Sequence, residues 1–203
     1  MPYRIVPIVE GQGDVAAVPV LLRRLIAEIN PPAAIDIAPP IRQSKGTLLK
    51  AGGVEAAVQL AVIETGPSGA VLILIDSDGD CPEDHAPVIA ERSAAVRNDK
   101  KISVVLAHHE YEAWFLAAAS SLRGVRRLSM DITDHEDPES VSGCKEWLGR
   151  WLPEAARYSE TADQAALTSA FDMEVARRGS PSFDKLWREV DAILQHAIAT
   201  LEA

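Results

Sequence analysis

The sequence predicts an α/β fold in which a mostly parallel β-sheet is flanked by helices. Over the first hundred residues, short apolar runs alternate with segments of helical periodicity, which is typical of a parallel sheet. The run 70–75 (AVLILI) is apolar throughout and indicates a strand covered on both faces. After about residue 123 only helical and turn-rich segments follow. We therefore expect an α/β core over residues 1–122 and a mainly helical C-terminal extension over 123–203, packed on that core.

The first half of the core begins with the run 3–9 (YRIVPIV), which has the length and composition of a short buried strand. A helix is predicted over 14–29, with Asp14 as its N-cap and Pro19 near its first turn, where proline is tolerated. A second strand is expected at 34–38, between two Pro-Pro pairs. Together these segments form one strand–helix–strand unit.

The second half of the core repeats this alternation. A helix is predicted within 47–64, where Gly52 and Gly53 form a weak point because glycine destabilises a helix interior. The remaining elements of the core are, in chain order, the strand 70–75, a helix at 83–98, a strand at 102–107 and a helix at 110–120. The predicted sheet therefore has four strands, each followed by a helix.

The C-terminal third has a different pattern. Residues 131–142 are acidic and rich in turn formers, and helices are predicted near 142–151, 161–178 and 182–201. The last helix has a clear start, because Pro181 stands at a first-turn position that suits proline. These helices make up the predicted extension.

Charge and composition exclude several classes of protein. The 203 residues include 20 Lys and Arg against 30 Asp and Glu, a net charge of −10, so nucleic-acid binding through a generally basic surface is not expected. Two cysteines are too few for a disulfide framework and suggest a reducing compartment. The first ten residues lack the features of a signal peptide, and no apolar run approaches the roughly 20 residues of a membrane span. We expect a cytoplasmic protein that does not contact a membrane.

Two acidic motifs directly follow predicted strands. VEGQGD begins at Val9, after the first strand, and DSDGD begins at Asp76, after the strand 70–75. Ligands of open α/β sheets bind at the carboxyl ends of the strands, so both motifs are expected at the ligand-binding edge. Converging carboxylates repel one another, and a hard divalent cation with oxygen ligands neutralises them. The structural alternative is a pair of polar turns that cap helices.

A Glu after the first strand and an Asp-x-Asp after a later strand resemble the Toprim domain, the metal-binding α/β module of topoisomerases, primases and certain nucleases. A longer pattern over residues 5–186 comprises VEGQGD, IDSDGDCP, HHEYEAWFLA and GSPSFDKL. It resembles a small bacterial Toprim-like family catalogued as domain of unknown function 4276. The resemblance implies a Mg²⁺ or Mn²⁺ site formed by Glu10, Asp76 and Asp78, with Asp80 as a fourth ligand.

Further candidate residues lie at the same edge of the predicted sheet. Glu110 and Glu112 could supply another metal ligand or a general base, and His109 could polarise a phosphate. The structural alternative for Glu110 is a first-turn acid favoured by the helix dipole. Arg42 and Lys45 follow the second strand and are predicted to bind a substrate phosphate, the alternative being solvated surface charges.

The leading functional hypothesis is a Mg²⁺-dependent phosphoryl-transfer enzyme, most plausibly a nuclease that hydrolyses a phosphodiester of a nucleic acid or nucleotide. Its catalytic residues would be Glu10, Asp76 and Asp78, which would hold one or two metal ions, with Glu10 as an alternative general base. The number of subunits stays open, a homodimer included.

Two other functions stay open. The first is a non-catalytic module that binds metal or nucleotide and works with an ATPase partner, as some Toprim-like proteins of phage defence do; the chain has no P-loop of its own. The second is a dinucleotide-dependent oxidoreductase, because Gly11, Gly13 and Ala16 fit a relaxed dinucleotide fingerprint. Against the latter, Glu10 puts a carboxylate where a pyrophosphate must approach.

Overall fold

The computed structural model describes residues 2–202 and contains a five-stranded sheet in which every strand pair is parallel. The strands are β1 (Tyr3–Val9), β2 (Ile35–Ile37), β3 (Ile41–Arg42), β4 (Gly69–Asp76) and β5 (Lys101–Ala107). This confirms the predicted α/β class with a mostly parallel sheet flanked by helices. The sequence did not predict β3, which is only two residues long.

The helices are α1 (Gln12–Ile29), α2 (Lys45–Leu49), α3 (Gly53–Thr65), α4 (Pro82–Val96), α5 (Ala113–Ala117), α6 (Cys144–Gly149), α7 (Ala165–Ala170), α8 (Met173–Gly179) and α9 (Pro181–Leu201). Short 3₁₀ turns occur at Ala119–Leu122, Val125–Arg127 and Pro138–Ser140, and a π-helical turn, Glu160–Gln164, leads into α7. Within residues 2–202, no helix is long and apolar enough to cross a membrane.

Strand β1 lies between β4 on one side and the short strands β2 and β3 on the other, and β5 follows β4. Strand β2 pairs with the first half of β1 and β3 with its end, where Val9 is opposite Arg42. Pro39 and Pro40 separate β2 from β3, because proline has no N–H to donate to a ladder. On the other side of β1, Val9 is opposite Leu74. The carboxyl ends of β1, β3, β4 and β5 therefore meet at one edge of the sheet.

Helices cover both faces of the sheet. Successive residues of a strand point to opposite faces, and β1 is apolar on both. Val6 and Ile8 pack in one buried cluster with residues of α3, whereas Ile5 and Val9 belong to a second cluster with residues of α1 and α9. The continuous apolar runs that predicted β1 and β4 are explained by this two-sided burial.

The C-terminal helices share the second of these clusters with the sheet. Phe183 of α9 is fully buried, with its ring centroid 5.2 Å from that of Trp114 and 5.5 Å from that of Phe171. Trp114 lies in α5, next to the carboxyl end of β5. Helix α9 confirms the predicted C-terminal helix, and the division into two units at residue 122 stays a prediction.

Two predicted helices are broken in the structure. The helix expected within 47–64 divides into α2 and α3 at Gly52, whose φ of +78° is left-handed and favours glycine. The segment 161–178 contains a π-helical turn and two helices, because the side chain of Asp172 accepts a hydrogen bond from the N–H of Val175 and begins α8. Apolar periodicity alone did not reveal these interruptions.

The shared core predicts a large effect of Phe183→Ala. Removing a fully buried aromatic side chain leaves a cavity and is expected to lower the free energy of unfolding by about 3–5 kcal/mol. Urea denaturation followed by far-ultraviolet circular dichroism measures the change. The control is Ile63→Ala, at a side chain that is 74% exposed, with an expected change within about 0.5 kcal/mol. Equal effects of the two substitutions would contradict the shared core.

Candidate functional site

The loop that follows β4 is hydrogen-bonded to the loop that follows β5. Ser77 N–H donates to the carbonyl of Ala107 (2.8 Å), and Asp78 N–H donates to the carbonyl of His109 (2.9 Å). In return, His109 N–H donates to Ser77 Oγ (2.9 Å). Asp78 and His109 have φ of +52° and +58°, in the left-handed region that Asp and His enter more readily than most residues. The HHEYE segment therefore fixes the conformation of the DSDGD loop.

Lys45 connects the two acidic motifs. Its Nζ donates hydrogen bonds to the carbonyl of Ser77 (2.5 Å), to Asp78 Oδ2 (3.0 Å) and to Asp80 Oδ2 (2.9 Å), and its side chain is only 9% exposed. Its backbone N–H donates to Glu10 Oε1 (3.2 Å). An ammonium group has three protons, so this one is fully used inside the protein. Lys45, which the sequence predicts to bind phosphate, thus forms hydrogen bonds with three of the predicted metal ligands, Glu10, Asp78 and Asp80.

These contacts set the charge states of the groups that they join. Burial alone would lower the pKa of Lys45, but its hydrogen bonds with Asp80 and Asp78 raise that pKa above its ordinary value. The hydrogen bond from Lys45 lowers the pKa of Asp80. Lys45 is therefore a permanent cation beside two carboxylates.

A second group of carboxylates, which we call the acidic centre, consists of Glu10, Asp14, Asp76 and Glu112. Burial raises the pKa of Glu10, and burial raises that of Asp76 well above its ordinary value. The negative charges of Asp78 and Asp14 raise the pKa of Glu10 further, and those of Asp14 and Glu112 raise the pKa of Asp76 further. Burial also raises the pKa of Glu112, to about 7. Burial thus favours the protonated forms of the carboxyl groups that are gathered where β1 and β4 end.

Asp14 belongs to the acidic centre, whereas the sequence predicts it only as the N-cap of a helix. The N-cap of α1 is Gly11, and Asp14 stands three residues later, where its Oδ2 accepts the N–H of Gly11 (2.8 Å). Its Oδ1 accepts a hydrogen bond from Gln164 Nε2 (2.8 Å), in the turn before α7. Asp14 lies four residues after Glu10, in the first turn of α1, and this spacing is the sequence signal for its membership of the acidic centre.

Two carboxylate oxygens of the acidic centre are buried without a hydrogen-bond partner in the described part of the chain: Glu10 Oε2 and Glu112 Oε2. Glu112 is 1% exposed, and its other oxygen accepts the hydroxyl proton of Tyr158 (2.7 Å). The ammonium of Lys145 lies 4.0 Å from Glu112 Oε2, but only 2.6 Å from Glu160. Because buried polar atoms almost always have a partner, these two oxygens mark a place for a cation or a proton.

The predicted metal ligands fall into two sets. Glu10 and Asp76 belong to the acidic centre, and Asp76 Oδ1 accepts the N–H of Tyr111 (2.9 Å). Asp78 and Asp80 are instead paired with Lys45. Among residues 2–202, no three His, Cys, Asp or Glu side chains lie close enough together to hold a metal ion. The carboxylate oxygens of the acidic centre are nevertheless the hard ligands that Mg²⁺ and Mn²⁺ prefer. Two of these oxygens, Glu10 Oε2 and Glu112 Oε2, have no hydrogen-bond partner among residues 2–202.

Three other predicted residues have different surroundings. The carboxylate of Glu110 accepts the N–H of Cys144 (2.8 Å) at the start of α6 and pairs with Lys145 (3.3 Å), so it anchors that helix rather than its own. His109 Nδ1 lies 2.6 Å from the carbonyl oxygen of Asp78. Arg42 is exposed at the end of β3, on the same edge of the sheet. Of these three, His109 is the one in direct contact with the DSDGD loop.

Comparison with known proteins identifies the family. The chain belongs to the family described as domain of unknown function DUF4276, whose model matches residues 9–191. The matched segment includes both acidic motifs and ends near the middle of α9. No curated protein and no solved structure matches the chain. The predicted membership of the family of domain of unknown function 4276 is confirmed.

Replacing Lys45 by methionine is expected to destabilise the carboxyl edge. The substitution keeps most of the length of the side chain but leaves Ser77 and two carboxylates without their donor, so we expect a loss of about 2 kcal/mol in the free energy of unfolding. Lys50→Met, at an exposed lysine of the same segment, is the control. Urea denaturation of both variants measures the difference, and equal stability would contradict the bridging role of Lys45.

The raised pKa of Glu112 predicts a pH-dependent stability of the metal-free protein. The folded state binds the proton more tightly than the unfolded chain, whose ordinary pKa is 4.5, so the contribution of Glu112 to stability is present below pH 4.5 and is lost as the pH rises through about 7. Between pH 5 and 8 the wild type should lose about 2 kcal/mol more stability than Glu112→Gln, which carries no charge. Denaturation in the presence of a chelator measures this difference, and parallel pH profiles would refute it.

Proposed function

We propose that this DUF4276 protein is a metal-dependent phosphoryl-transfer enzyme that hydrolyses a phosphodiester bond of a nucleic acid or nucleotide. One observation carries the proposal: the acidic centre lies at the carboxyl edge of the parallel sheet and contains two buried oxygens, Glu10 Oε2 and Glu112 Oε2, that have no hydrogen-bond partner among residues 2–202. Buried carboxylates that repel one another are costly unless a cation neutralises them. A site of this kind at this edge is the expected position of a ligand in an open α/β sheet.

Glu10 and Asp76 are the residues that would hold the cation, with Asp14 and Glu112 as neighbouring oxygen donors. Mg²⁺ or Mn²⁺ bound there would neutralise the carboxylates and polarise a phosphoryl oxygen. Tyr111 orients Asp76 through its N–H, and Lys45 orients Glu10 in the same way. Both carboxylates therefore keep a fixed direction before any ligand binds.

Glu10 has an alternative role in the proposal, as a general base instead of a metal ligand. Burial raises its pKa, which makes its carboxylate a better proton acceptor than an exposed one. Its Oε1 is held by the N–H of Lys45, whereas its Oε2 has no partner among the described residues. Oε2 is therefore the atom that would accept a proton from the attacking water.

A Toprim-like relationship is part of the same proposal. In the Toprim module a Glu follows the first strand and an Asp-x-Asp follows a later one. Here Glu10 follows β1, while Asp76 and Asp78 follow β4, which pairs with β1 in parallel. This placement supports the relationship, which the family match by itself does not carry. The pairing of Asp78 with Lys45 is a departure from a simple two-aspartate metal site.

A non-catalytic module that works with a partner such as an ATPase is the second candidate. The observation that favours it is the ammonium of Lys45, which already pairs with both Asp78 and Asp80 without any metal. The dinucleotide-binding alternative has less support. A side chain at Gly13 would collide with Gln164, so packing against the turn before α7 explains this glycine without a bound pyrophosphate.

Metal binding and turnover together test the proposal. We expect Mg²⁺ or Mn²⁺ to raise the melting temperature of the wild type and to support hydrolysis of DNA, RNA or a nucleotide diester that a chelator abolishes. Asp76→Asn keeps an acceptor for Tyr111 but should lose the metal-induced shift, and it should reduce turnover by more than about a hundredfold, since even outer-shell partners of a metal contribute ten- to a hundredfold.

Asp84→Asn, at an exposed aspartate in the first turn of α4, is the matched control and should behave as the wild type. A metal-induced shift without turnover on any of these substrates would favour the non-catalytic module. The absence of a shift would contradict the metal site itself.

A further inference from the structure

A basic cleft lies on the C-terminal segment, outside the acidic centre. It has a volume of about 370 Å³ and lies between α6 and the segment that follows it. It is lined by Lys145, Glu146, Gly149, Arg150, Arg157 and Tyr158. Three of these six residues are cationic and one is anionic, in a chain whose net charge is −10. The cleft therefore concentrates positive charge against the trend of the whole molecule.

The two arginines of the cleft are available for a ligand. Arg150 is exposed and forms no ion pair or side-chain hydrogen bond with the described residues. Arg157 is also exposed, and its Nη1 donates only to nearby backbone carbonyls, those of Glu154 (3.4 Å) and Ala156 (3.0 Å). Lys145 differs from them because its ammonium is surrounded by carboxylates. An anion in this cleft would thus be bound by the two guanidinium groups.

The cleft adjoins the acidic centre through two of its lining residues. Tyr158 donates its hydroxyl proton to Glu112 Oε1 (2.7 Å), and the ammonium of Lys145 lies 4.0 Å from Glu112 Oε2. Both side chains therefore line the cleft and contact the acidic centre. Tyr158 and Lys145 thus connect the cleft to Glu112.

We propose that this cleft binds a phosphate group of a nucleotide, with Arg150 and Arg157 as its ligands. A guanidinium group carries a permanent charge and matches the geometry of phosphate oxygens, and two of them lining one cleft favour a dianionic group over a carboxylate. The inference deepens the proposed function by assigning where its substrate is held. The cleft takes the place of Lys45 as the phosphate-binding site, because the three ammonium protons of Lys45 are used in hydrogen bonds inside the protein.

Binding of thymidine 5′-monophosphate, inorganic phosphate and thymidine, measured by calorimetry with a chelator present, tests the cleft. The wild type should bind the nucleotide and should not bind thymidine. Arg150→Gln and Arg157→Gln should each weaken nucleotide binding about tenfold, because each removes one charge-assisted contact. Arg178→Gln is the matched control, at an exposed arginine of α8 that lies 3.9 Å from Glu174 on its own helix.

Tighter binding of the nucleotide than of inorganic phosphate supports a nucleotide as the ligand, and equal affinities support the same site with free phosphate as its source. No phosphate binding, equal binding of thymidine, or equal weakening by Arg178→Gln would overturn the proposal. The chelator keeps this outcome separate from the proposed function. Phosphate binding without any metal-dependent activity would contradict the proposed enzymatic function but not the proposed phosphate site. Metal-dependent activity without phosphate binding would contradict the phosphate site alone.

Discussion

The arrangement of the carboxyl edge depends on how its negative charge is balanced. A parallel sheet brings the ends of β1 and β4 together, and each end is followed by carboxylates. Lys45 reaches both: its N–H holds Glu10, and its ammonium holds Asp78 and Asp80. One ammonium thus offsets part of the charge of the two outer carboxylates. In the acidic centre, Lys145 lies 4.0 Å from Glu112, but within residues 2–202 no Lys or Arg forms an ion pair with Glu10, Asp14 or Asp76. This imbalance is the physical basis of the proposed metal site.

The C-terminal segment completes the site as well as the core. Gln164 donates to Asp14, and Tyr158 donates to Glu112, so residues far along the chain fix two members of the acidic centre. The same segment forms the cleft that carries Arg150 and Arg157. An acidic protein can therefore hold negative charge at the sheet and offer positive charge beside it. This division suits a substrate whose phosphates must approach carboxylates.

Local patterns predicted the parts of the structure that local forces determine. The strand 3–9 has the predicted bounds, and β4 extends one residue beyond the predicted 70–75 at each end, because strands buried on both faces are continuous apolar runs. The position of Glu10 and Asp76 at one edge follows from parallel topology. The pairing of Asp78 and Asp80 with Lys45 does not, since it joins residues more than thirty positions apart that no periodicity relates.

A crystal structure with Mn²⁺ would show whether the acidic centre binds a metal ion, because anomalous scattering locates the metal independently of any activity. One anomalous peak is expected within bonding distance of carboxylate oxygens of Glu10 and Asp76, with the ammonium of Lys45 still bonded to Asp80. A peak held by Asp78 and Asp80 in place of that ammonium, or no peak at millimolar Mn²⁺, would contradict the proposed metal site.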